Sequence, residues 1–303
     1  MGRAWRQPRR SRPPPNVRDA RGSQFLRTLP YHWWRTVFFL IPAITLYTIV
    51  LGAASIVSSL FDRDGSLAHA CARCWSRLIL RTTGVRVTVQ GLGRVTPGTT
   101  YVFVSNHQSI YDIPVIFASL PYQVRIIAKT SLAKFPVLGW HLKRGGHLFV
   151  DRRHPDPSGI LKRWRALVTE GLSLLIFAEG TRSGDGQVAR FKAGSFLLAL
   201  QAGLPVVPLA VIGTRHVMQK GRLRTEPGDV TLVVHDPIYP PAGSTEPTVR
   251  DAKALASRVR AIVAVAVHGS SAPSDPACGS ACGSACGSNE RQGHATRTRT
   301  RTI

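Results

Sequence analysis

Two residue types that can move a proton together, a histidine and an aspartate, stand five positions apart at the end of YVFVSNHQSIYD, residues Tyr101 to Asp112. The stretch opens as an apolar run, Val102, Phe103 and Val104, and turns polar at Ser105 and Asn106 before reaching His107. A buried strand that empties into a polar turn is where α/β folds place their chemistry. In that setting His107 reads as a base and Asp112 as the carboxylate that orients it. At about 100° per residue, five steps inside one helix leave two side chains roughly 140° apart. The pair can meet only if His107 lies in the turn ahead of a helix and Asp112 reaches back from its second turn. Asn106 and Ser109 suit such a start, since short polar side chains cap free N–H groups. The competing reading is a surface histidine and an unrelated helical aspartate.

Three further polar islands interrupt apolar runs. In GGHLFVDRRH, Asp151, Arg152 and Arg153 follow HLFV. In LLIFAEGTRSGDG, the residues Glu179, Gly180, Thr181, Arg182 and Ser183 follow an apolar strand. The third is LPVVPLAVIG, which carries Pro205 and Pro208. Proline cannot donate to a sheet ladder, so an irregular backbone beside a site is expected there. Arginine at the carboxyl end of a strand, next to a Gly-Thr turn, suits a phosphate. Glu179 could pair with Arg182 or bind substrate hydroxyls, and Lys129 and Lys192 stand at strand or helix edges. Taken singly, DRR and EGTR are also what a solvated turn looks like.

These residues need a scaffold, and the chain offers one. From Val85 onward β-rich runs (VRVTV, YVFVS, VRIIA, HLFV, LSLLIF, PVVPLAVIG, VTLVVH) alternate with helical stretches near 111–120, 157–170, 191–201 and 248–267. That alternation predicts an α/β domain over 84–268, with a central, mostly parallel sheet flanked by helices. No repeat of solenoid period interrupts it.

The N-terminal third has a different character. Residues 1–35 are rich in Arg and Pro and read as a disordered basic segment. Val37 to Leu60 carries no charge and is long enough to cross a hydrocarbon core of about 30 Å. His32, Trp33, Trp34 and Arg35 precede it as an interfacial anchor. Leu67 to Thr82 is basic and amphipathic, as suits a helix lying at the lipid surface. Residues 36–83 are therefore expected to form a membrane-embedded helical hairpin, bent at Pro42 and Gly52, that enters one leaflet and returns. The positive-inside rule then keeps the domain at the cytoplasmic face of the inner membrane. Residues 269–303, rich in Gly, Ser and Ala and ending in RTRTRTI, read as a disordered tail.

Composition bounds the partners. Forty Lys+Arg against 16 Asp+Glu give a net charge of +24, which draws the chain toward phosphates and anionic lipid. Aromatic platforms interleaved with Arg, as single-stranded nucleic acid requires, are missing from the central domain, so no nucleic-acid partner is expected. Five cysteines make no disulfide framework. The pair Cys71 and Cys74 lacks the second pair that a zinc site needs, so no metal is expected.

NHQSIYD, GHLFVDR, FAEGTRS and LPVVPLA resemble, in order, the four motifs of the 1-acyl-glycerol-3-phosphate acyltransferase family, and KTSLAKFPVLGW and FKAG are similar to its intervening signatures. The resemblance runs from about Leu78 to Pro240, and Ala178 stands where the family usually has another residue. It implies transfer of an acyl group from an acyl-CoA or acyl-carrier-protein thioester to the sn-2 hydroxyl of lysophosphatidic acid, with no cofactor. His107 would be the general base and Asp112 its partner, as in a serine triad without the serine. No G-x-S-x-G elbow appears near the histidine, which fits direct attack by the acceptor. Lys129, Arg152, Glu179, Gly180, Thr181, Arg182, Ser183 and Lys192 would hold the glycerol phosphate. The Leu204 to Leu209 region would contribute to the donor site or to oxyanion contacts. Acylation of another acceptor (glycerol-3-phosphate, dihydroxyacetone phosphate or a lyso-aminolipid) and a non-enzymatic basic membrane-binding protein remain as alternatives.

Overall fold

The computed structural model describes residues 31–62, 64–151, 157–241, 247–269 and 301–302. Helix α1 (Tyr31–Arg35) passes through a π-helical turn (Thr36–Leu40) into α2 (Ile41–Ser58). The apolar stretch Trp33–Ser58 is 26 residues long and only 6% buried, unlike the core helix of a soluble protein. Tyr31–Arg35, at the end of the segment expected to be disordered, is helical and carries the aromatic anchor.

Pro42 follows the π-helical turn directly, at the start of α2. The helix runs unbroken through Gly52. There the missing side chain lets Val137 pack against α2, and a Cβ would collide with Val137 Cγ1. The reverse turn of the hairpin lies at 59–65. Asp62 accepts the Leu67 N–H, and α3 (Ser66–Thr83) runs back along α2. Trp75 Nε1 donates to Thr48 Oγ1 at 2.9 Å, and Tyr47 and Thr82 share a hydroxyl contact at 3.2 Å.

The domain is a sheet between two helical layers. Its strands are β1 (Val85–Gln90), β2 (Val102–Ser105), β3 (Val124–Lys129), β4 (Leu148–Val150), β5 (Ser173–Phe177), β6 (Val206–Ile212), β7 (Gly228–Val234) and β8 (Arg301–Thr302). The spatial order is β4-β3-β5-β2-β6-β7-β1-β8. All described pairings are parallel except β6 with β7 and β1 with β8. The alternation of elements foretold this arrangement. The short β8 was not foretold: the Arg-Thr end of the tail adds itself to the open edge of β1.

Helices α4 (Asp112–Ser119) and α5 (Leu138–Arg144) cover one face together with α3, where Phe103, Leu175, Val207 and Leu209 meet Ile79, Val115 and Leu142. Helices α6 (Pro157–Thr169), α7 (Ala193–Gln201) and α9 (Val249–Gly269) cover the other, where Val102, Val104, Leu174 and Ile176 meet Trp164, Phe196, Val259 and Val263. The central strands are apolar on both faces because helices bury both. Thr214–Val217 forms a short helix, α8, at the end of β6.

Pro208 sits in the middle of β6, opposite Val104 of β2. It is tolerated because the β7 side of the ladder is broken there. Pairing with β7 begins only at Leu209, and the next contact on that side is the bridge from Val206 to Ile238. The Pro208 carbonyl still accepts from the His235 N–H at 3.0 Å. Val206, Val207 and Leu209 are fully buried core residues. The run is apolar because it is central to the sheet.

Candidate active site

The polar turns meet at the carboxyl edge of the sheet, centred on β2. His107 Nδ1 and Asp112 Oδ2 are 2.8 Å apart. Asp112 is the first residue of α4, one turn earlier than the spacing suggested, so it reaches the histidine across a single turn. The same Oδ2 accepts the backbone N–H groups of Gln108 (2.7 Å) and Ser109 (3.0 Å). Oδ1 accepts from Thr214 Oγ1 at 2.5 Å. Asp112 and Thr214 are both fully buried, and the carboxylate is fixed from both sides. His107 Nε2 has no protein partner among the described residues, and the ring keeps 16% of its side-chain surface exposed. Phe177 lies against the ring, with centroids 4.1 Å apart and planes inclined by 25°.

The turn is pinned from three directions. Asn106 does not cap a helix as its type suggested. It extends the β2–β6 ladder instead, giving Nδ2 to the Val211 carbonyl (2.9 Å) and taking the Val211 N–H on Oδ1 (2.8 Å). Ser109 Oγ donates to the Met218 carbonyl at 2.7 Å and takes a long bond from the Tyr111 N–H, 3.4 Å. Gln108 Nε2 donates to the Gly186 carbonyl at 2.8 Å.

The loop after β5 closes over the turn. Glu179 is buried; Oε1 accepts the His107 N–H (2.8 Å) and Oε2 the Ala189 N–H (3.2 Å). Burial raises its pKa, and the two N–H groups pull it back down. No ion pair joins it to Arg182 among the described residues; its two oxygens hold two loops together. Ser183 donates its N–H to the His107 carbonyl at 2.7 Å, and its Oγ bonds Asp185 and the Gly186 N–H. Gly180 has φ +74°, and a Cβ there would stand 2.9 Å from both Cε and Nζ of Lys192. The lysine stem therefore lies across a glycine that only a missing side chain permits. Lys220 Nζ reaches the Arg182 carbonyl (2.9 Å) and Thr181 Oγ1 (3.3 Å).

Among the residues expected to hold substrate, Gly180, Thr181, Arg182, Ser183 and Lys192 converge on the His107 turn. Lys129 is the exposed last residue of β3 on the same edge of the sheet. Arg152 lies outside the described residues. Sequence reasoning missed Thr214 and Lys220. Thr214 stands 102 positions from Asp112 behind an unremarkable glycine, and only the fold makes them neighbours. Gly213, at φ +94° with a Cβ blocked by the Asp229 carbonyl, makes the turn that delivers it.

Beside the turn a cavity of about 280 Å³ opens between α2, α3, α4 and α5. Leu51, Trp75, Ile110, Ile113, Phe117 and Leu138 line it, and nearly all of its wall is apolar. Ile110 and Ile113 carry the cavity up to the His107 turn.

A partly exposed histidine bonded to a buried aspartate at the carboxyl edge of an α/β sheet, with a basic rim and an adjoining apolar cavity, fits the class of the acyltransferases. A family model described as Acyltransferase matches residues 86–212. The chain is 35% identical over 236 residues to a 1-acyl-sn-glycerol-3-phosphate acyltransferase of Chlamydomonas reinhardtii, covering 76% of this chain and 67% of that one. It is 37% identical over 184 residues to a chloroplastic enzyme of the same name from Brassica napus, 59% of this chain and 53% of that one. To the human alpha form it is 34% identical over 179 residues, 58% of this chain and 62% of that one. The crystal structure of the 1-acyl-sn-glycerophosphate acyltransferase PlsC from Thermotoga maritima superposes with a TM-score of 0.67 at 27% identity, over 79% of this chain and 96% of that one. The chain belongs to the 1-acyl-sn-glycerol-3-phosphate acyltransferase family. It spans about half to two thirds of the length of these curated relatives.

Proposed function

We propose that the protein transfers an acyl group from acyl-CoA or acyl-carrier protein to the sn-2 hydroxyl of 1-acyl-glycerol-3-phosphate, giving phosphatidic acid. The observation that carries this reading is the His107–Asp112 pair, with Nδ1 committed to the carboxylate and Nε2 left for substrate. Nε2 takes the proton of the acceptor hydroxyl as its oxygen attacks the thioester carbonyl. The tetrahedral intermediate collapses by breaking the C–S bond, and the imidazolium returns the proton to the departing thiolate. Asp112 sets the tautomer and faces the positive charge that develops on the ring. The acyl chain lies in the cavity between the hairpin and α4. Lys192, Arg182 and Lys129 face the acceptor phosphate, with Lys220 bracing their loop. The thioester is a co-substrate, and no cofactor enters the scheme.

Bilayer access follows from the same geometry. The exposed apolar face of α2 inserts into the leaflet, and α3 returns the chain, so the site opens where lysophosphatidic acid resides. The domain lies at the cytoplasmic face of the inner membrane, where aqueous thioesters are made and anionic lipid attracts a chain of charge +24. Acceptor competition with purified protein tests the assignment. 1-Acyl-glycerol-3-phosphate should outcompete glycerol-3-phosphate, dihydroxyacetone phosphate and lyso-aminolipids, and preference for an acceptor without phosphate would overturn it.

A further inference from the structure

The apolar cavity beside His107 includes two histidines in its wall. Its depth can be read along α4: Ile110 and Ile113 flank the His107 turn, and Phe117 lies one turn further down, about 5 Å along the helix axis. At that lower level the wall includes two imidazoles, His141 and His147, with ring centroids 6.0 Å apart. His147 Nδ1 accepts the N–H of Ile126 at 3.0 Å. Ile126 is three residues short of the end of β3, so this contact lies about 10 Å below the carboxyl edge of the sheet. His141 Nδ1 is 2.5 Å from Ser55 Oγ of α2. Each ring thus commits Nδ1 to the scaffold, and among the described residues neither Nε2 has a protein partner.

The layer behind them is no more satisfied. His69, whose ring lies 5.6 Å from that of Phe117, has a buried Nε2 without a partner, and Arg125, 3% exposed, has an unpartnered Nε. Arg125 spends one Nη2 bond on the Asp64 carbonyl, and the carboxylates of Asp62 and Glu170 reach it only through their fields. A chain end of bare methylenes would leave the Nε2 atoms of His141 and His147 unpaired and dry.

We infer that His141 and His147 form a polar floor to the acyl cavity that takes a hydrogen-bonding oxygen near the distal end of the acyl chain, so that acyl groups with a hydroxyl or carbonyl there are the preferred donors. This rests on the acyl-transfer reading above and adds a substrate class to it. With Nδ1 an acceptor, His147 carries its proton on Nε2 and donates. His141 donates or accepts according to its tautomer, so a hydroxyl can serve both rings.

The test is a donor panel for the purified protein, with 1-acyl-glycerol-3-phosphate as acceptor. It pairs unsubstituted acyl-CoAs from octanoyl to stearoyl with their ω-hydroxy counterparts. At the chain length that fills the cavity, the hydroxylated donor should show kcat/KM about tenfold or more above its partner, and His147→Phe should abolish that preference while still using unsubstituted donors. Because His147→Phe also removes the acceptor of the Ile126 N–H, a binding measurement on the unaltered protein accompanies it. ω-Hydroxy fatty acid should raise the melting temperature more than the unsubstituted acid of equal length. Equal kcat/KM within every pair, or equal stabilisation by both acids, overturns the polar-floor assignment and leaves acyl transfer standing. No transfer from any donor overturns the proposed function and this inference with it.

Discussion

Thr214 Oγ1 donates to Asp112 Oδ1 at 2.5 Å, across 102 residues of sequence and with both side chains fully buried. The bond occupies the carboxylate oxygen turned away from His107, so rotation of Asp112 would break four hydrogen bonds at once. Thr214→Val keeps the volume and loses the hydroxyl, whereas Thr214→Ser keeps the hydroxyl and loses a methyl. Acyl transfer by the serine variant should stay within a few-fold of the unaltered protein. The valine variant should lose about tenfold or more in kcat with little change in either KM, as expected when a charge-assisted hydrogen bond of about 1.5–3 kcal/mol is removed. The reverse order of activities would make Thr214 a packing residue only.

Gly180 and Lys192 are coupled by space. Gly180→Ala sets a Cβ against the lysine and places alanine in the left-handed region, at a cost of about 1–2 kcal/mol. Displacement of Lys192 should raise KM for 1-acyl-glycerol-3-phosphate several-fold and leave KM for the thioester nearly unchanged. Steady-state kinetics with each substrate varied in turn decides this, and an unchanged acceptor KM would detach Lys192 from the phosphate.

The histidines below the cavity should make the fold acid-sensitive. Burial, and then the charges of Arg125 and Arg73, lower His69 to about 4, and burial lowers His147 well below its ordinary value. The native state therefore binds fewer protons than the unfolded chain between about pH 4 and 6.5, so stability rises with pH across that window and is lost as pH falls through it. Thermal unfolding in detergent should show the melting temperature falling from pH 7 to pH 5, with a shallower slope in His69→Phe. A slope unchanged by that substitution would remove His69 from the account.

The mostly parallel sheet, its seven longer strands and the four longer helices of the domain were legible in the sequence because apolar runs on both faces of central strands and 3.6-residue stripes on helices are local signals. The His107–Asp112 pair was legible from spacing, although Asp112 turned out to start the helix. What escaped is non-local. Nothing around Thr214 marks it as Asp112's partner, and Asn106 looks like a cap although it pairs across to Val211. Glu179 looks like a surface charge in EGTR and yet binds the N–H groups of His107 and Ala189 inside the fold. Gly52 lies in an unbroken stretch of α2 and is the seat for Val137, a partner its sequence neighbourhood does not show. Pro205 and Pro208 were read as signs of a site, but the gap that accommodates Pro208 lies in the partner strand.

Hairpin docking should be separable from chemistry. Thr48→Val removes the acceptor of Trp75 Nε1, and a buried donor left unpaired costs about 1–3 kcal/mol. Because Thr48 and Trp75 both line the cavity, the variant should lower kcat/KM for long-chain donors more than for short ones, while vesicle flotation stays unchanged. Equal losses at all chain lengths would contradict a chain-binding cavity beneath the hairpin.

The central claim is that His107 removes the proton from a lipid hydroxyl. Its most direct test is the formation of labelled phosphatidic acid from radioactive acyl-CoA and 1-acyl-glycerol-3-phosphate, followed by thin-layer separation, for the unaltered protein and for His107→Ala at equal membrane content. Labelled phosphatidic acid should form with the unaltered protein and fall at least about a hundredfold in the variant, in keeping with the 10²–10⁴-fold that positioned acid–base catalysis contributes. Phosphatidic acid formed by His107→Ala at the rate of the unaltered protein would contradict it.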